Sequence, residues 1–135
     1  ANYTLPFLNE LKQYSNIQPA VNQIEFTPWL FQKETFEYCK EAGIQLQSYS
    51  PITRGIKFSD ERLMGLCEKY QKTPAQIILN WNLQLGVSTI PKSVQKQRLQ
   101  ENFDAANFNL DAKDVIFMNT FNDGFRICDD PIIFL

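Results

Sequence analysis

Residues Ile90 to Asn102, "IPKSVQKQRLQEN", place a lysine, a serine and an arginine within one short stretch of chain. Lys92 is a compact positive charge, Ser93 adds a hydroxyl donor, and Arg98 offers a planar fork of donors. The stretch before them, Val87 to Ile90, reads as a strand. Pro91 turns the chain, and the helix that follows carries Arg98, Glu101 and Asn102. Its first-turn amides add further donors and the positive end of a dipole. The chemistry such a turn can do is to hold an anion, phosphate above all. Spacing alone leaves a second reading open, a solvated basic turn that holds nothing.

The other reactive side chains suggest less. The chain contains no histidine, so the commonest neutral-pH base and metal ligand is missing. Cys39, Cys67 and Cys128 are odd in number, widely spaced and without a CxxC pair. They read as reduced thiols of a cytoplasmic protein, with no metal site and no disulfide framework. Asp129 and Asp130 are adjacent acids on an expected loop, better read as a solvated turn than as an acid/base pair.

The elements that must position the basic turn alternate strand and helix. "TLPFLNELKQYS" reads as a helix capped by Thr4, and "PAVNQIEF" as a strand with polar side chains on both faces. Buried parallel strands are ordinarily Val/Ile runs, so Asn22, Gln23 and Glu25 need partners that a pocket or a packed barrel interior could supply. "QKETFEYCKEAG" is a helix with Gly43 at its exit, and "IQLQSYS" a second strand ended by Pro51. Asp60 or Ser59 caps "ERLMGLCEKY". Thr73, Pro74 and Gln76 form a capping box that opens the helix "PAQIILNWNLQL", and Asp111 caps a last helix. This order calls for a parallel sheet with helical crossovers. The strand count falls short of a (β/α)8 barrel, which needs roughly 200 residues or more, so the chain is expected to be part of a larger fold.

At 135 residues, 44% hydrophobic and 21% charged, the composition is that of one globular domain. A net charge of -2 excludes a global basic field for nucleic acid or an anionic membrane. No stretch is apolar enough to cross a bilayer, and none reads as a signal peptide.

Five stretches in order resemble the aldo-keto reductase family. "VNQIEFTPWL" is similar to its sixth strand and following loop, and "YCKEAGIQLQSYSPITRG" to the helix and strand after it. "KTPAQIILNW" is similar to the helix before the eighth strand, "VSTIPKSVQKQRLQEN" to that strand and its phosphate-binding turn, and "NFDAANFNLDAKDVIFMNTFN" to the C-terminal helix. "ANY" resembles the end of the fifth strand. The resemblance implies a partial TIM (β/α)8 barrel: the last three parallel strands with their helices over residues 1–121, the stub of a fourth, and a tail, 122–135, over the substrate mouth.

It also implies roles. Lys92, Ser93 and Arg98 would hold the 2′-phosphate of NADP, Arg98 would stack on adenine, and Glu101 and Asn102 would meet its amino group. Tyr49 would carry the nicotinamide ring, and Ser50 and Ile52 would cradle the pyrophosphate. Asn2 and Gln23 would orient the carboxamide, although Ala1 stands where the family's serine partner usually lies. Trp29 is left between a wall of the substrate mouth and a buried anchor. The family's catalytic Asp, Tyr, Lys and His fall outside this chain, so no catalytic residue is expected within it. The function implied is the cofactor-binding half of an NADPH-dependent reductase of aldehydes and ketones. The alternative is a non-catalytic half-barrel that binds nucleotide or pairs with a copy of itself. Expected partners are the N-terminal half of the barrel or that second copy, and a small carbonyl substrate, with neither nucleic acid nor membrane.

Overall fold

A computed structural model of the chain describes residues 1–134. Its centre is a sheet of three parallel strands in the order β1 (Val21–Glu25), β2 (Gln45–Tyr49) and β3 (Ser88–Thr89). Val21 to Glu25 pair in register with Gln45 to Tyr49, and Gln47 and Ser48 pair with Ser88 and Thr89. α1 (Leu5–Tyr14) precedes β1, α2 (Lys33–Ala42) links β1 to β2, and α3 (Glu61–Tyr70) and α4 (Pro74–Gln84) link β2 to β3. α5 (Lys96–Phe103) and α6 (Ala112–Asn119) follow. Leu135, the last residue of the expected tail, lies outside the described residues.

The sheet's two faces differ because side chains alternate along each strand. Ile24 and Leu46, with Phe26 just past β1, are buried in one apolar cluster with Ile77, Ile78, Trp81 and Leu63 from the helices. Phe26 stacks on Trp81 at 5.3 Å and on Phe36 at 5.8 Å between ring centroids. The opposite face carries Val21 and Gln45, both exposed, with Gln23 and Gln47 half-buried. Parallel sheets are ordinarily covered on both faces; this one is covered on one.

The polar residues of β1 find partners. Asn22, 2% exposed, donates to the Tyr3 carbonyl at 2.7 Å and accepts from the Tyr3 amide at 3.3 Å. Gln23 Nε2 donates to Gln47 Oε1 at 2.7 Å. On β2, Ser48 Oγ donates to the Phe26 carbonyl at 2.6 Å. Local signals hold in α4, where Thr73 Oγ1 accepts from the Gln76 amide at 3.3 Å and Gln76 Oε1 accepts from the Thr73 amide at 3.1 Å. Gly43 closes α2 at a φ of 70°, where a side chain would be strained.

Several expectations are corrected. Thr4 stands at the N-cap position of α1, but its hydroxyl makes no capping bond and is buried without a partner. Asp111 occupies the N-cap of α6 without a side-chain cap, because its carboxylate takes Lys69 Nζ at 2.8 Å instead. The strand expected over Val87–Ile90 is only Ser88–Thr89. The "ANY" stub forms no strand; it lies against β1 through the Asn2 amide, which donates to the Gln23 carbonyl at 2.8 Å.

Asp60 locks the start of α3. Its carboxylate accepts from the Arg62 amide and Nε, both at 3.0 Å, and from the Trp29 indole at 2.8 Å. The Arg62 guanidinium holds this carboxyl well below the usual carboxylate range, helped by Trp29 and opposed by burial. A depressed folded-state value means the stabilisation is complete above the unfolded value of about 3.9 and is lost as pH falls through the folded value. Urea unfolding followed from pH 6 to pH 2 should therefore show an acid loss that Asp60→Asn flattens. At pH 7 the same substitution keeps the cap but loses the partly exposed ion pair with Arg62, and should cost about 0.2–1 kcal/mol.

Candidate functional site

The C-terminal ends of β2 and β3 and the segments that follow them enclose a cleft of about 830 Å³. One wall begins where β2 ends, with Ser50, Pro51, Ile52, Arg54, Gly55 and Phe58. The other is Ile90, Lys92, Ser93, Val94 and Gln95, continued by Arg98, Glu101 and Asn102 on α5. Thr73 and Ala75, at the start of α4, also line it. The Ile90 amide donates to the Ser48 carbonyl at 3.1 Å, which extends the β3 pairing and brings the Lys92 turn alongside Ser50.

Each wall has a local cause. Ser50, Thr53 and Arg54 adopt φ values of 48°, 52° and 51°, left-handed conformations that cost a residue with a Cβ about 1–2 kcal/mol each. Thr53 is wholly buried, and its hydroxyl accepts from the Lys57 amide at 3.3 Å, so the turn is held from inside. Strain of this kind persists where the surroundings impose it, and it gathers at binding sites. On the opposite wall, Ser93 Oγ accepts from the Gln95 amide at 3.2 Å, forming a compact turn into α5. α5 itself buries no residue. Its position is set through Asn80 of α4, which donates to the Ala105 and Phe108 carbonyls at 2.8 and 2.7 Å and accepts from the Leu110 amide at 3.2 Å.

The cleft is cationic. Among the described residues, Lys92, Arg98 and Arg54 have no carboxylate within salt-bridge distance, unlike Lys57, Lys69 and Arg62. Gln95 at the N-cap of α5 supplies no side-chain cap, so the first-turn amides add to the positive end of the cleft. Glu101 accepts from Gln97 Nε2 at 3.1 Å.

Ser50, Ile52, Lys92, Ser93, Arg98, Glu101 and Asn102 thus share one cleft. Tyr49 is the residue before Ser50 and lies beside the cleft, on the uncovered face of the sheet, paired in register with Glu25. Burial pushes its phenol pKa up, and the negative charge of Glu25 adds to this. Gln23 lies on that same face, with its amide turned to Gln47, and Asn2 meets it through the main chain. Neither lines the cleft.

Trp29 is 0% exposed in this structure, which favours the buried anchor of its two alternatives. Its carbonyl accepts from the amides of Asp123, Gly124 and Phe125 at 3.0 to 3.2 Å, so its role is to hold the tail. Sequence reasoning passed over Arg54, Phe58, Thr73 and Ala75 as cleft residues. A basic residue next to Gly55 was a usable signal for Arg54; the other three show none.

Comparison with known proteins agrees with this architecture. Residues 1–123 match the model of the Aldo/keto reductase family. Glyoxal reductase of Bacillus subtilis is 42% identical over 131 residues, covering 97% of this chain and 48% of that protein. Methylglyoxal reductase DkgA of Yersinia pestis is 36% identical over 135 residues, covering 98% and 49%. Among solved structures, a mutant of Gox0644 in complex with NADPH superposes with a TM-score of 0.89 at 36% identity, covering 97% of this chain and 49% of that one. An aldo-keto reductase of Bombyx mori in complex with NADP gives 0.85 at 33% identity, covering 95% and 45%. The fold and the sequence together place the chain in the aldo/keto reductase family, as three strands and their helices from a partial barrel. The chain spans about half the length of the curated relatives it matches.

Arg54 tests the strain in the cleft wall. It is exposed and left-handed, so Arg54→Gly removes a conformational cost of about 1–2 kcal/mol and adds glycine's entropy of about 0.5–1 kcal/mol. A net gain of about 0.5–1 kcal/mol is expected in chemical denaturation.

Proposed function

We propose that this chain carries the dinucleotide-binding side of an NADPH-dependent reductase of aldehydes and ketones. The supporting observation is the one cleft that gathers Ser50, Ile52, Lys92, Ser93, Arg98, Glu101 and Asn102 around cations with no carboxylate partner among the described residues. The residues present fit a phosphorylated dinucleotide: the cleft volume is in the range of small-molecule sites, and uncompensated Lys92, Arg98 and Arg54 suit phosphate. NADPH in this cleft would supply the hydride that reduces the substrate carbonyl.

The chain's own contribution is binding and orientation. Lys92, Ser93 and the first amides of α5 grip the 2′-phosphate. Arg98 adds a charge-assisted contact there and a flat face for adenine, whose amino group meets Glu101 and Asn102. Ser50, Ile52 and the left-handed turn after them cradle the pyrophosphate. Tyr49 offers its ring to the nicotinamide. Asn2 and Gln23 hold the carboxamide, which requires the Gln23 amide to leave Gln47. Proton transfer to the carbonyl oxygen belongs to side chains beyond this chain. The uncovered face of the sheet, with Val21 51% and Ile90 44% exposed, supports closure by a further segment of the barrel. A second copy of the chain is the other candidate partner.

Three measurements check this reading. Arg98→Ala should weaken NADPH about 10–100-fold, as expected for a charge-assisted contact of about 1.5–3 kcal/mol, and leave NADH nearly unchanged. Equal losses for both cofactors would remove the 2′-phosphate assignment. Residues 1–135 alone should not turn over an aromatic aldehyde with NADPH. Light scattering after size exclusion should show association, and a well-behaved, cooperatively unfolding monomer would oppose the pairing of half-barrels.

A further inference from the structure

Glu25 is a buried acid that the cofactor reading does not use. It ends β1 on the face of the sheet that is otherwise open, yet it is 1% exposed. Among the described residues no lysine or arginine lies within salt-bridge distance of it. Its partners are two consecutive main-chain amides of the tail: Ile127 N donates to Oε1 at 2.6 Å and Cys128 N to Oε2 at 3.1 Å. A buried carboxylate is costly unless such donors replace water. The tail that donates these bonds also covers the group that accepts them.

The tail has other anchors, but they act earlier in the chain. The Trp29 carbonyl and Lys57 hold residues 123–125, Lys57 through Asp123 Oδ2 at 2.8 Å and the Phe125 ring at 4.4 Å. Beyond Phe125, among the described residues, the hydrogen bonds to the rest of the fold are those of Glu25 and the approach of Cys128 Sγ to Ser50 Oγ at 3.8 Å. Among the described residues, Arg126 pairs only within the tail, with Asp130 at 3.6 Å. Glu25 thus accepts both main-chain hydrogen bonds that hold this distal segment beside Tyr49 and Ser50.

We propose that Glu25 is a positioning residue, a clasp whose carboxylate docks residues Arg126 to Asp130 across the Tyr49–Ser50 corner of the cleft and so sets access to that corner. The docking stands apart from the NADPH reading, and its test uses no nucleotide. The 135-residue chain is pulse-labelled with a maleimide, and each cysteine is quantified by peptide mass spectrometry. Cys39 and Cys67 are buried and report global opening. In Glu25→Ala, Cys128 should label at least about ten-fold faster while Cys39 and Cys67 do not change, the loss of two hydrogen bonds to a charge being worth more than that factor. Glu25→Gln keeps one acceptor and should give a smaller increase. Ile127→Pro deletes a donor without touching the sheet, so it should also free Cys128 even if the sheet variants fold poorly. An unchanged Cys128 rate in the folded variants would overturn the clasp. So would a joint acceleration of all three cysteines in Ile127→Pro, because the tail would then belong to the core.

Discussion

Phe26 is the contact on which the site depends. Its ring lies between Trp81 of α4 and Phe36 of α2, and its main chain directly follows β1. Aromatic pairs of this kind contribute about 0.5–1.5 kcal/mol each beyond the area they bury. The stack ties the C-terminal end of the sheet to the helices, and its carbonyl is tied to β2 by Ser48. Every cleft residue is placed relative to those strand ends. Were the stack loosened, Ser50 and the Lys92 turn would lose their common reference, although neither touches it.

From that anchored end the chain arranges two kinds of surface. The helix-facing side is closed and mainly apolar, although Asn82 Oδ1 of α4 is buried there without a partner. The other side is lined by Gln23, Gln45, Gln47 and Tyr49, polar or amphipathic groups that suit the interior of a barrel or the edge of a ligand. Glutamines facing water on an open sheet are not themselves costly, since water satisfies them. They would be costly in a closed barrel unless each found a partner, and Gln23 with Gln47 already shows how such pairs form. The tail covers one corner of this side, where Glu25 and Tyr49 lie in register.

Much of the fold was legible because its signals are local. The Thr73–Gln76 capping box, the Gly43 exit and the Asp60 cap each need only a few neighbouring residues, and each formed where expected. Asp111 failed for a tertiary reason, whereas nothing in the structure explains the missing Thr4 cap. A capping oxygen bonds the first turn only when nothing better is in reach, and Lys69, from a distant helix, claimed Asp111. The Lys92–Arg98 turn was legible as a cationic site because basic residues after a strand end carry their own chemistry. Arg54 and Phe58 were harder to see: they join the cleft through a strained turn whose φ values no residue type announces.

By itself, the order of the residues determined the alternation of strand and helix, the polarity of β1, the positive charge at the start of α5 and the family to which the chain belongs. Those properties follow from periodicity, capping chemistry and motif, all of which act over a few residues. Tertiary structure decided that Trp29 is wholly buried, that Gln23 turns to Gln47, and that Glu25 meets amides far along the chain. The reason is physical. A buried polar group must be paired with some partner, but its own sequence neighbourhood does not say which; packing brings that partner within 3 Å or so or leaves it in water.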